Sequence, residues 1–140
     1  MREIEFRGKA LISIEELDEI GIKHINGYVY GDLVDNSHIV TGILESNDEY
    51  ICIETWCGID SETVGQYTGL KDENGNKIFE GDLCWDEHNE CYGVVKFEEG
   101  KFLYVWENIV EDLWEVADDI EICGNIHENL DLLEGTVNEK

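Results

Sequence analysis

Period-two alternation of apolar and polar residues dominates this chain, the signature of strands buried on one face. It runs through Glu3–Leu11, where Ile4 and Phe6 share a face with a small residue, and returns at Ile25–Val34, His38–Leu44 and Glu49–Trp56. Asp35-Asn36-Ser37 and Ser46-Asn47-Asp48 separate the last three segments. Their short polar side chains hydrogen-bond their own backbone in turns, which predicts an antiparallel meander. One interruption is helical. Ser13-Ile14-Glu15-Glu16 has the spacing of a capping box, Leu17 and Ile20 follow, and Gly21 offers a stop, so a short helix is predicted over Ser13–Ile20.

The second half changes rhythm. Thr68-Gly69-Leu70 and Asn74-Gly75 mark two places where the backbone is expected to turn sharply, the latter as a type I′ hairpin with positive φ at both residues. Asp82–Asp86, Cys91–Phe97 and Lys101–Trp106 follow as short antiparallel strands, with turns at Glu87-His88-Asn89-Glu90 and Glu98-Glu99-Gly100. Gly81-Asp82 before an apolar strand resembles the entry to an SH3-like small barrel. Val110, Leu113, Trp114 and Ala117 fit a helical face or a wide turn. Asp119–Ile126 reads as a last strand, Glu128–Leu133 as a helical turn, and Gly135–Lys140 as a frayed tail. The expected fold is mainly β, a β-rich α+β domain. An N-terminal antiparallel meander is joined by a C-terminal SH3-like small barrel, with one or two short helices. Residues 1–140 are read as a single domain, with sub-lobes 1–65 and 66–134 and the tail at 135–140.

Composition narrows the function classes. Apolar residues make up 42% of 140, enough for a core, whereas 34 acids against 9 basic residues give a formal charge of −25. A surface this negative excludes ordinary binding to nucleic acid or an anionic bilayer, since both need cationic patches. Met1–Arg7 has neither the basic start nor the apolar run of a secretory leader, and no stretch approaches the ~18 apolar residues of a membrane span. A cytoplasmic protein is expected. Its five cysteines are an odd number, read as small buried apolar residues rather than as a disulfide framework.

Three blocks carry a family resemblance. They are Arg2-Glu3-Ile4-Glu5-Phe6-Arg7-Gly8; Glu62-Thr63-Val64-Gly65-Gln66-Tyr67-Thr68-Gly69-Leu70-Lys71-Asp72 running on through Asn74-Gly75 to Ile78-Phe79-Glu80-Gly81-Asp82; and Glu121-Ile122-Cys123-Gly124-Asn125-Ile126-His127-Glu128-Asn129. With Gly27-Tyr28-Val29-Tyr30-Gly31 between them, the chain resembles the YopX-like family of phage and prophage proteins. Ser61 and Leu130 stand where family members often carry proline. The resemblance implies a β-rich, phage-associated protein in the cytoplasm of a bacterial host, and supplies no catalytic residues. Gly69, Asp72, Asn74, Gly75, Gly81, Asp82, Gly124 and Asn125 are read as structural, at places where the chain must turn.

Candidate chemistry is weighed against packing. Asp72, Asn74 and Asn76 have the alternating start of a calcium loop, but its sixth position is Lys77 and its twelfth Leu83, where glycine and glutamate are needed. Cys84, His88 and Cys91 are the residues a zinc ion would take, with Cys52 and Cys57 as further ligands. Their spacings are not those of a zinc knuckle, and thiols that merely fill space are preferred. A nucleophilic cysteine is disfavoured because the negative field suppresses its thiolate. Asp118-Asp119-x-Glu121 is read as an exposed acidic turn rather than a magnesium site. No phosphate-loop, dinucleotide or serine-hydrolase motif occurs, and no cofactor is expected. Trp56, Trp85, Trp106 and Trp114 are read as core or interface anchors. Between Lys101 and Lys140 lie no lysine or arginine and a long series of acids.

The expected function is a non-enzymatic accessory protein that binds another protein or self-assembles as a homo-oligomer. The alternatives are an acidic nucleic-acid mimic that occupies a host DNA- or RNA-binding protein and, third, a metal-dependent enzyme.

Overall fold

A computed structural model describes residues 3–129 and Leu132. The described chain is mostly antiparallel β. Its elements are β1 (Phe6–Ala10), α1 (Ile14–Ile20), β2 (Tyr28–Val34), β3 (His38–Ser46), β4 (Ile51–Lys71), β5 (Lys77–Phe79), β6 (Asp82–Asp86), β7 (Cys91–Glu98), β8 (Lys101–Trp106), β9 (Ile109–Asp112), α2 (Leu113–Val116), a 3-10 turn (Ala117–Asp119) and β10 (Ile120–Asn125). Two compact units divide it, residues 1–66 and 67–140.

In the first unit, the expected meander of β2, β3 and β4 is present, and β1 pairs with both β2 and β4. The ladder therefore returns to the strand where it began. Between Arg7 and Lys9 the register against β4 jumps from Gly65 to Asp60. The slack is taken up by Thr63, whose hydroxyl accepts the Lys9 N–H at 2.8 Å and donates to the Asp60 carbonyl at 2.6 Å. Ala10, Leu17, Ile22, Val29, Ile39, Cys57 and Ile59 form the core, flanked by Phe6, Ile12, Leu33 and Val64. Helix α1 begins at the Ser13–Glu16 capping box and ends at Gly21 in the left-handed region, φ 80°. Seven residues do not hold a helix by themselves; Leu17, fully buried, ties it to the core.

Several boundaries differ from expectation, β2 for example beginning at Tyr28 rather than Ile25. Strand β1 is shorter than Glu3–Leu11, because Ile4 and Leu11 are exposed and have no face to bury against. Strand β4 continues well beyond Trp56, to Lys71. Register shifts absorb the polar stretch Asp60–Glu62 that breaks the alternation, so the strand persists where its sequence pattern does not.

In the second unit, the end of β4 pairs with β5, and a separate antiparallel sheet has the order β10-β6-β7-β8-β9. Ile78, Cys84, Val95, Tyr104, Leu113, Ala117 and Ile120 form its core. The SH3-like barrel expected here rested on strand spacing and is not carried beyond this strand order. The helical face expected from Val110 to Ala117 is reduced to Leu113 and Ala117. Val110 lies in β9 and Trp114 is 68% exposed, because α2 has only four residues before the 3-10 turn. The helical turn expected over Glu128–Leu133 falls partly, and the tail Gly135–Lys140 wholly, outside the described residues.

Candidate functional site

The eight motif residues serve the backbone. Asp72 is 4% exposed. Its Oδ1 accepts the N–H groups of Asn74 and Asn76, both at 2.9 Å, and its Oδ2 accepts that of Ile122 at 3.0 Å. The adjacent Glu73 N–H donates to the Ile120 carbonyl at 3.0 Å, so the β4–β5 turn is sewn to β10. That turn is not type I′. Gly75 alone has positive φ (84°), while its N–H donates to the Asp72 carbonyl and the Asp72 N–H to the Asn76 carbonyl. This is a three-residue hairpin with a left-handed third position, made favourable by the Asp72 carboxylate capping it from inside. The donors converging on that carboxylate would repel a cation, which disposes of the calcium spacing. Gly69, φ 88°, is a bulge within β4 and not a turn between strands: Tyr67 pairs with Phe79, but Lys71 with Lys77.

The remaining motif residues close the same unit. Asp82, buried, accepts the Phe79 N–H at 2.7 Å. The Gly81 N–H donates to the Val95 carbonyl at 2.8 Å, and the Gly81 carbonyl accepts from Ile126 at 2.9 Å. Asn125 Oδ1 accepts from His127 and Glu128 at 2.9 and 3.0 Å, while Asn129 Oδ1 accepts the Asn125 N–H at 3.2 Å. A side chain at Gly124 would collide with Asn129.

The metal candidates are placed unequally. Cys84 pairs with Gly93 and Asp86 with Cys91, so both thiols lie on one face of the β6–β7 ladder and both are buried. His88 sits on the exposed turn between them. Asp86 is occupied by that turn, accepting from the backbone of His88 and Asn89 and from the Asn89 amide. Among the described residues no three His, Cys, Asp or Glu groups are arranged to hold a metal ion. Burial, with Asp86, Glu107 and Glu111 adding to it, raises the Cys91 thiol, and burial raises Cys57. The expectation that all five cysteines are buried is wrong for Cys52 and Cys123, which are exposed. Cys52 lies on the exposed outer part of the β3–β4 hairpin.

Tyr104 was not singled out in the sequence. It is fully buried, its hydroxyl donates to the Cys84 carbonyl at 3.1 Å, and its ring fills the space above Gly93. Burial moves its phenol far above the ordinary range. An open cleft of about 700 Å³ in the first unit is lined by Glu5, Asp18, Lys23, His24, Tyr30 and Thr41, among others. His24 was likewise unremarked in the sequence. Its Nε2 lies 2.8 Å from Asp18 Oδ1 and its Nδ1 accepts the Gly27 N–H at 3.1 Å. Both ring nitrogens are engaged in fastening α1 to the Asn26-Gly27 turn, which leaves no lone pair for base catalysis.

The acids across 107–121 differ in exposure and in engagement. Across 107–121, Glu107, Glu115, Asp118, Asp119 and Glu121 are exposed. Glu111 accepts the Trp106 indole N–H at 2.6 Å, and Asp112 pairs with Lys101 at 2.9 Å. Glu73 has its carboxyl raised first by loss of water around it and then by Glu87, Glu121, Asp72 and Asp119.

The apolar exposure is more concentrated. Every residue from 43 to 54, the outer part of the β3–β4 hairpin, is exposed. Ile43, Leu44, Tyr50, Ile51 and Ile53 all lie there, and Trp56 at its base is 60% exposed. Among the described residues no helix is long and apolar enough to cross a membrane.

The family model described as YopX protein matches residues 22–134. The match contains the Gly27–Gly31, Glu62–Asp82 and Glu121–Asn129 blocks; the opening Arg2–Gly8 block precedes it. No curated protein matches the sequence. In fold, the chain is similar to the crystal structure of protein EF1440 from Enterococcus faecalis. The two share a TM-score of 0.63 and 22% identity over 95% of this chain and 99% of that one. At that identity the likeness speaks for the fold, whereas the family match covers most of the length: the chain belongs to the YopX family.

Proposed function

We propose that this YopX-family member is a phage- or prophage-derived accessory protein of the bacterial cytoplasm that works by binding protein, not by catalysis. The observation that supports this is the β3–β4 hairpin, whose outer twelve residues are exposed and include five large apolar side chains. A two-stranded hairpin is marginal in water without a covering layer, and exposed apolar surface of this kind marks contact sites. The test is capture from nuclease-treated bacterial lysate by tagged protein and by a variant carrying Ile43→Ser, Ile51→Ser and Ile53→Ser. A defined protein held by the first and lost from the second is expected. Identical capture by both would refute the reading.

A second reading, mimicry of nucleic acid, is favoured by the backbone bond from Glu73 to Ile120, which sets Glu73 beside Asp119 and Glu121, all three exposed. Closely spaced carboxylates offer a basic protein the field it meets on a phosphate backbone. In that case the captured partner binds DNA and is released by added duplex; a partner indifferent to duplex DNA rejects mimicry.

A further inference from the structure

The hairpin's own chemistry narrows what covers it. Its turn is well defined, with Asn47 Oδ1 accepting from Glu49 and Tyr50 at 2.8 and 3.1 Å and the Asn47 N–H donating to the Tyr50 carbonyl at 3.0 Å. Ile43 lies directly opposite Ile53, and Ile51 shares the face of Ile53 by the period of two, so three isoleucines form a stripe. Asp48 and Glu49 stand at the turn that ends it, Glu45 and Glu54 lie on the reverse face of the two-stranded ribbon, and no lysine or arginine occurs between Lys23 and Lys71. The register of β3 against β4 shifts three times between Val40 and Glu45. Such irregularities twist strand edges away from further pairing, which leaves the face as the surface for contact.

A second copy of the chain fits poorly. It would set two acidic hairpins side by side with no hairpin cation between them, on molecules that each carry −25. Charge complementarity favours the opposite sign. We infer that the β3–β4 hairpin docks its isoleucine stripe on a basic protein partner, whose contact surface has an apolar floor and a rim of lysine or arginine. This rests on the protein-binding reading above and adds the chemistry of the partner.

The probe is a synthetic peptide of alternating lysine and leucine, with a glutamate–leucine peptide as its counterpart. The reporter is an environment-sensitive dye on Cys52, which lies opposite Glu45 on the hairpin, in a Cys123→Ser background. The lysine peptide is expected to shift the dye's emission, with affinity reduced ~tenfold or more by Ile43→Ser/Ile51→Ser/Ile53→Ser. The separate charge variant Glu45→Gln/Glu49→Gln/Glu54→Gln is expected to weaken it comparably, as is raised salt. All six positions are exposed, and unchanged circular dichroism and melting in both variants separate lost contact from lost folding. Equal lysine-peptide binding by the isoleucine variant would reduce the effect to general attraction and overturn the inference. So would equal binding of the glutamate peptide, or self-association on sedimentation that the isoleucine variant abolishes. A lysate partner lost from the isoleucine variant yet indifferent to salt and to the charge variant would overturn it while leaving the protein-binding reading standing.

Discussion

Asp72 is a carboxylate placed where it accepts three backbone N–H groups, two from its own turn and one from Ile122, fifty positions away in the chain. Truncation to alanine removes both acceptor oxygens and leaves three N–H donors without them at a site that is 4% exposed. Hydrogen bonds to charged groups contribute roughly 1.5–3 kcal/mol each, and they are not additive. Asp72→Ala is therefore expected to lose about 3 kcal/mol, read as a lowered urea midpoint at unchanged slope. Asp72→Asn, which keeps one carbonyl oxygen, is expected to lose less. An alanine variant as stable as the wild type would mean that water replaces the carboxylate and that the turn is not sewn to β10 through this side chain. The local half of this arrangement is legible in the spacing of Asp72, Asn74, Gly75 and Asn76, since residues two to four apart define a turn. The bond to Ile122 is not, because nothing in a linear pattern brings two distant segments together. Tyr104 escaped notice for the same reason, since its partners Cys84 and Gly93 are defined by packing, whereas the partners of His24, Asp18 and Gly27, lie close to it in the chain.

Among the elements, α1 was written most fully in the chain. Its capping box, buried leucine and terminal glycine all act within nine residues, and the helix occupies Ile14–Ile20 as the spacing predicts. Strand β4 is the opposite case. Its 21 residues include a glycine at φ 88° and a polar stretch, either of which reads locally as a break. The ladder accommodates both by shifting register. Placing a Cβ at Gly69 puts a side chain in a left-handed conformation costing roughly 1–2 kcal/mol. Gly69→Ala is accordingly expected to lower the melting temperature by several degrees without changing the far-ultraviolet dichroism. A neutral result would show that β5 can re-pair with β4 without the bulge.

Over the whole molecule the governing quantity is charge. With 34 acids and 9 basic residues, the folded chain concentrates repulsion that the unfolded chain spreads out. Because the screening length falls from ~30 Å at 0.01 M salt to ~3 Å at 1 M, added sodium chloride is expected to stabilise the fold. The melting temperature should rise by about 4 °C or more over that range, equivalent to ~1 kcal/mol for a chain of this size. A flat profile would mean that the carboxylates are already far enough apart for water alone to shield them.

By itself the sequence determined the class of fold, the helix, the positions of most strands, the sign of the surface and the family. Each of these follows from residues near one another in the chain or from a sum over all of them, and periodicity, capping and composition report such properties directly. Only the tertiary structure decided which acids are exposed and which are engaged. It likewise decided that two of five thiols face water, that Cys84 and Cys91 share a face without His88, and that the outer part of the β3–β4 hairpin is exposed. The alternation in that hairpin is the same as in the buried strands. A pattern tells a strand to have an apolar face; whether anything lies against that face depends on where the rest of the chain goes.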